Sequence, residues 1–194
     1  CFALAEGTGN PSPAGIKARA VGGRLTGSKW PVADGSIADI AVVAARDETG
    51  EIALFLVELD GISRRALQTV DPARDHARLD FDSAIAEKLP QATGWSAVQT
   101  VLDRAAILLA FEQVGGADAS LRMAVDYANE RYAFGRPIGS FQAIKHKLAD
   151  MYVALELARS NAFYGAWALT ENAAELPLAA ATARVSATDA FHLA

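Results

Sequence analysis

Two hydrophobic periods divide the chain. Over 1–90, short apolar runs alternate with clusters of turn-forming residues: Gly7-Thr8-Gly9-Asn10-Pro11, Gly22-Gly23, Asp34-Gly35, Asp47-Glu48-Thr49-Gly50 and Asp71-Pro72. Ile40-Ala41-Val42-Val43-Ala44-Ala45 and Ile52-Ala53-Leu54-Phe55-Leu56-Val57-Glu58-Leu59 flank the Asp-Glu-Thr-Gly cluster, an arrangement that predicts a β-hairpin. Leu79-Asp80-Phe81-Asp82 alternates apolar and acidic residues, as a half-exposed strand does. The first half therefore reads as a small antiparallel sheet or barrel.

Over 94–194 the period changes to that of a helix, and Ala, Leu, Glu, Arg and Lys dominate. A first helix is expected near 97–133, with Val101, Ala105, Leu108, Leu109, Phe111, Val114, Leu121, Ala124, Val125 and Tyr127 as its apolar set. Gly135, Pro137 and Gly139 break it. Ser140 then predicts an N-cap for a second helix to about Leu169, with Ile144, Leu148, Met151, Tyr152, Leu155 and Leu157 apolar. A third helix is expected after Glu175-Leu176-Pro177. Long helices with short breaks imply antiparallel neighbours. The expectation is an α+β chain, with a β-domain over 1–92 and a helical bundle over 93–194.

Composition narrows the function classes. Of 194 residues, 52% are hydrophobic and 21% charged, enough apolar material for packed cores rather than disorder. A net charge of −5, without any long basic run, argues against nucleic acid as a partner. Cys1 stands alone, which excludes an internal disulfide and fits a reducing cytoplasm. No apolar run reaches the ~18 residues of a membrane span. The chain has no initiator methionine and stops in mid-pattern, so it is expected to be a piece of a longer protein. His76, His146 and His192 are scattered, so no metal set is expected. Gly7-Thr8-Gly9 lacks the lysine and following helix of a phosphate loop.

The most informative stretch runs Tyr127-Ala128-Asn129-Glu130-Arg131-Tyr132-Ala133-Phe134-Gly135-Arg136-Pro137-Ile138-Gly139-Ser140-Phe141-Gln142, continuing to Leu148-Ala149-Asp150-Met151. It closely resembles the acyl-CoA dehydrogenase signature Y-A-x-x-R-x-x-F-G-x-x-I-x-x-x-Q-x-x-x-x-x-L-A-D-M. Ala14-Gly15-Ile16-Lys17, Leu25-Thr26-Gly27-Ser28-Lys29-Trp30 and Ala38-Asp39-Ile40-Ala41-Val42-Val43-Ala44 are similar to the first hairpins of that family's middle β-domain. The resemblance implies a helical, a β and a second helical domain, of which the first and the end of the third are absent here. It also implies FAD held between subunits of a homodimer, a tetramer or a mixed oligomer. Further implied are an acyl-CoA thioester as substrate, a carboxylate that removes the α-proton, transfer of the β-hydride to flavin N5, and a flavoprotein as electron acceptor.

Carried over position by position, the resemblance assigns Arg131 to the pyrophosphate of a neighbour's FAD, where a guanidinium makes paired, charge-assisted hydrogen bonds. Phe134 and Gln142 match the cofactor-contacting aromatic and glutamine. Read singly, Arg131 would pair with a surface carboxylate, Phe134 would be core and Gln142 a solvated residue. In the β-domain Phe2, Leu4, Ala5 and Trp30 fall at the flavin loops, but the family's Thr, Ser and Thr hydroxyls are replaced by Ala5, Pro11 and Ala33. On the acyl-CoA side Asp103 is present, whereas the family's arginine position is Ala106 and Arg104 stands two residues early. Two residues lie about 200° apart around a helix, so Arg104 is no simple substitute. No residue of the chain qualifies as the catalytic base. Intact helices beside an eroded β-domain also describe a non-catalytic partner subunit that completes its neighbour's FAD site.

Overall fold

The computed structural model describes residues 1–194. They form two compact units, Cys1–Gln99 and Thr100–Ala194. Strands run in chain order as β1 (Phe2–Ala3), β2 (Arg19–Val21), β3 (Arg24–Ala33), β4 (Ile40–Arg46), β5 (Ile52–Glu58), β6 (Ser63–Ala66), β7 (His76–Ile85) and β8 (Glu87–Thr93). Helix α1 (Gly94–Glu130) follows, then the short strands β9 (Tyr132–Ala133) and β10 (Arg136–Pro137), and helices α2 (Gln142–Thr170) and α3 (Leu176–Leu193). No helix is long and apolar enough to cross a membrane.

The eight-stranded sheet has the order β6-β7-β3-β2-β4-β5-β8, with β1 on β4. Most pairs are antiparallel; β1 and β2 each meet β4 in parallel. The predicted hairpin is present, with Ile40 opposite Glu58 and Arg46 opposite Ile52. Its turn closes on Asp47. One carboxylate oxygen accepts from the Thr49 N–H at 2.9 Å, the Thr49 hydroxyl at 2.7 Å and the Glu51 N–H at 3.1 Å. The other accepts from Lys88 Nζ at 2.8 Å. Inward-facing Ala20, Leu25, Val43, Phe55, Val57, Leu79 and Phe81 meet in the core of this unit.

Hydrogen bonds from Lys88 and then Thr49 hold the Asp47 carboxyl well below the usual carboxylate range, against the opposing effect of burial. A folded-state pKa below the unfolded one stabilises the fold above the unfolded value, about 4, and that contribution is lost as the pH falls below it. Asp47→Asn should therefore melt below the wild type at pH 7, with the gap narrowing at pH 3. A gap equal at both values, measured by thermal melting followed by circular dichroism, would show that the ionised form contributes nothing.

Three helices make the second unit. Ile107 lies beside Gly165, Asp118 pairs with Arg159 at 3.1 Å, and Leu121 and Leu155 line one pocket, so α1 and α2 run antiparallel. Gly165 lies beside Ala183, while Ala168 clusters with Leu176, Ala179 and Ala180, which makes α2 and α3 antiparallel as well. The seam is filled by small residues: Ala110 and Ala117 of α1, Ala158 and Ala162 of α2, and Ala183, Ala187 and Ala190 of α3. Of the apolar sets, Leu108, Leu109, Tyr127, Tyr152 and Leu157 are exposed in this chain, while Val114, Leu121 and Leu155 are buried. Ser140 is not the N-cap of α2. A 3-10 turn over Ile138–Ser140 occupies that stretch and moves the helix start to Gln142, with Phe141 at the cap position and no side-chain cap. The Ser140 hydroxyl donates instead to the Pro137 carbonyl at 2.7 Å.

Candidate functional site

The break between α1 and α2 is a two-residue hairpin. Arg131 N–H still donates to Tyr127 at 2.8 Å, as the last turn of α1. Its carbonyl then accepts from Ile138 N–H at 2.8 Å, closing the loop behind Ala133 and Arg136, which face each other in β9 and β10. The two tip residues, Phe134 and Gly135, have φ of +52° and +77°, the left-handed pair of a type I′ turn. An aromatic residue rarely adopts that conformation. The expectation that Phe134 would be core if it had no cofactor role fails, because the side chain is 96% exposed. It leans edge-on against Phe141 at 6.2 Å, and the Arg136 guanidinium lies 4.1 Å above the Phe141 ring. Gly139 seats the hairpin on α1, since a Cβ there would stand 2.9 Å from the Ala128 carbonyl oxygen.

Arg131 and Gln142 are both exposed at this break. The ion pairs of the helical unit, Arg122–Asp118, Arg159–Asp118 and Arg159–Glu156, leave Arg131 out. One exposed cation, one exposed ring and one exposed amide thus share a short hairpin.

Asp103 and Arg104 occupy consecutive positions of α1, half-buried and exposed respectively. Ala106 packs against the cluster of Ile107, Ala168, Leu176, Ala179 and Ala180. Ala106, where the resemblance expects an arginine, is thus a packing residue.

In the β-unit a pocket of about 570 Å3 is lined by Ala5, Gly7, Thr8, Gly9, Pro11, Trp30, Pro31, Leu67, Gln68 and Thr69. Its volume falls within the range of small-molecule sites, roughly 300–1,000 Å3. Two features of β3 build it. Lys29 pairs with Leu79 and Val32 with Ala77, so Trp30 and Pro31 oppose the single residue Arg78 in a β-bulge. The bulge turns Trp30 and Pro31 to the pocket while Lys29 and Val32 both stay buried. The loop that follows β1 is then tied to the bulge, with Trp30 N–H donating to Ala5 at 2.8 Å and Gly7 N–H donating to Trp30 at 3.0 Å.

Ala5 and Trp30 both line this pocket. Leu4 does not line it; its side chain is buried and borders an adjoining pocket of about 110 Å3. Phe2 is half-buried in β1, and Ala33 lies at the exposed end of β3. Sequence reasoning gave no role to Lys29 or Glu6. Lys29 is 0% exposed and donates to Glu6 Oε1 at 2.7 Å and to the Leu4 carbonyl at 3.0 Å. Burial pushes its ammonium group down, against the opposing hydrogen bond and charge of Glu6. Its place in the alternation, in phase with Leu25, was the signal that could have found it. No three His, Cys, Asp or Glu side chains converge as a metal site.

Residues 92–194 match the family model "Acyl-CoA dehydrogenase, C-terminal domain". The acyl-CoA dehydrogenase IpdE2 of Mycobacterium tuberculosis is 40% identical over 163 residues, covering 84% of this chain and 45% of that one. Among solved structures, a glutaryl-CoA dehydrogenase from Mycobacterium smegmatis in complex with FADH2 superposes with a TM-score of 0.82 at 27% identity, over 99% of this chain and 54% of that one. The ChsE4-ChsE5 complex from Mycobacterium tuberculosis gives a TM-score of 0.80 at 29% identity, over 99% and 52%. The chain spans about half the length of the curated relatives it matches.

Proposed function

The chain belongs to the acyl-CoA dehydrogenase family, and from that premise we propose that it forms part of an FAD-dependent dehydrogenase of acyl-CoA thioesters, its α1–α2 hairpin gripping the FAD of a neighbouring subunit. The observation that carries this reading is the exposed Phe134, held at left-handed φ beside an arginine outside every ion pair of its unit. Exposed residues in sparsely populated conformations cost stability and persist at binding sites. Arg131 offers a forked cation to the pyrophosphate, Gln142 an amide, and Phe134 an apolar face. In the β-unit, Trp30, Pro31 and Ala5 supply an apolar wall to a pocket of small-molecule volume, to which the flavin ring is assigned.

When bound, FAD supplies the acceptor for the hydride leaving the acyl β-carbon. This chain's residues bind and orient it; the base that takes the α-proton lies outside them. Asp103 and Arg104 are assigned to the polar part of the thioester ligand. The assembly is a homodimer, a tetramer or a mixed oligomer, handing electrons to a separate flavoprotein.

A second reading is favoured by the chemistry of the pocket lining. Ala5, Pro11 and Ala33 stand where the resemblance expects hydroxyls and present none, Pro11 also lacks a backbone N–H, and the pocket's own hydroxyls are those of Thr8 and Thr69. A subunit that completes its partner's FAD site without holding its own has that character, and the ChsE4-ChsE5 structure is a complex of two chains.

FAD content after gel filtration of the full-length protein tests both. Arg131→Ala should weaken FAD retention by about 1.5–3 kcal/mol, roughly ten- to 150-fold, through loss of a charge-assisted contact. Arg104→Ala should leave retention near wild type. Equal losses would remove Arg131 from the role. One FAD per chain in the wild-type homomer would exclude the partner-subunit reading. FAD retained only after coexpression with a related subunit would favour it.

A further inference from the structure

We propose that Lys29 is a positioning residue, a buried clamp that fixes the segment from Leu4 to Gly9 as the wall of the β-unit pocket. That the ligand behind this wall is a flavin rests on the reading above; the clamp does not.

A lysine at an inward-facing position of a strand is costly, because an ammonium group taken from water must find full compensation. An apolar side chain would fill the same space without that demand, and buried ion pairs are often replaceable by apolar groups without loss of stability. What the ammonium group provides here is a set of directions. Its partners, the Leu4 carbonyl and Glu6 Oε1, border the adjoining pocket of about 110 Å3 and flank Ala5, which with Gly7 lines the larger one. Glu6 passes the constraint on, for Oε2 accepts from Lys17 N–H at 2.8 Å and Oε1 from Ala18 N–H at 3.1 Å. One carboxylate therefore joins the loop after β1, the entry to β2 and the middle of β3.

The wall itself has little regular structure to hold it. After β1, residues 4–12 form only the single bridge of Glu6 to Trp30. Leu4 to Gly9 nevertheless border one or both pockets without a break. Held by the clamp, their backbone presents a fixed surface beside Trp30 and Pro31. A fixed surface is what a site needs to orient a ligand without reorganising at each binding event.

Removing Lys29 alone would strand the Glu6 carboxylate, so the informative variant is the double substitution Glu6→Gln, Lys29→Met. Glutamine keeps one acceptor oxygen, for the Lys17 or the Ala18 amide, so Glu6→Gln alone is the control for the bond it loses, and methionine keeps the volume of the lysine stem. In the full-length protein without added FAD, amide exchange of residues 4–9 should quicken about tenfold or more while β4, β5 and the melting temperature stay near wild type. Titration with FAD should then show a dissociation constant raised about tenfold. Wild-type protection of residues 4–9 in the double variant would overturn the clamp. Faster exchange with an unchanged FAD dissociation constant would keep the clamp and overturn the flavin assignment of this pocket. A wild-type protein that takes up no FAD would do the same, with the exchange measurement still deciding the clamp.

Discussion

Gly27→Val should destabilise the β-unit by on the order of 3–5 kcal/mol, combining strain at a glycine-only backbone conformation with overpacking. Gly27 has φ +139°, a region that side chains disfavour. A Cβ built there would stand 2.9 Å from both the Cα and the Cβ of Ala18. The obstacle includes backbone, so no rotamer change relieves it. The consequence reaches the candidate site, because Ala18 N–H is one of the donors to Glu6, and Lys29 follows Gly27 by one inward-facing position. Urea unfolding of the full-length protein checks this through the shift in midpoint at constant slope. A loss below ~1 kcal/mol would mean that β2 and β3 separate at little cost, contrary to the overpacking expected of a tight core.

The glycine was visible in the Leu25-Thr26-Gly27-Ser28-Lys29-Trp30 run, but its reason was not. The resemblance marked Leu25–Trp30 as part of a hairpin, but not how closely β2 approaches β3. The same limit explains the bulge. Pro31 within a strand run is a sign of an edge or a bulge, yet only the pairing with β7 shows that Trp30 and Pro31 stand opposite one residue. What local chemistry decides was legible: the Asp47–Gly50 turn, the β4–β5 hairpin and the helix break around Pro137.

In the helical half the break was legible and the packing face in part, since Val114, Leu121 and Leu155 of the expected apolar sets are buried in the seam. Residue size was the misleading cue. Leu108, Leu109, Tyr152 and Leu157 are exposed, whereas alanines outnumber the larger Val114, Leu121 and Leu155 in the seam. Helices that approach closely exclude large side chains from between them, and bulk then moves to the flanks. The exposed Phe134 obeys a different logic again: its position in the signature was readable, but that it stands away from the chain at left-handed φ required the fold.

Gly165→Leu should cost about 3 kcal/mol or more, at the upper end of overpacking in a closed seam. Gly165 of α2 faces two helices at once. A Cβ at this site would lie 3.2 Å from Ile107 Cγ1 of α1 and 3.4 Å from Ala183 Cβ of α3. A leucine adds three further carbons to that Cβ, and neither neighbour can withdraw, since Ile107 and Ala183 are themselves buried. Gly165→Ala provides the internal control. Its single methyl meets contacts that must yield by a few tenths of an ångström, against a gain of about 0.8–1.0 kcal/mol from replacing glycine within a helix. The alanine variant should therefore lie within ~1 kcal/mol of wild type, where the steric and propensity effects oppose each other. Midpoints of thermal and denaturant unfolding give both values. Should leucine prove as mild as alanine, the helices would be free to separate at Gly165, and the small-residue seam would not be what sets their distance.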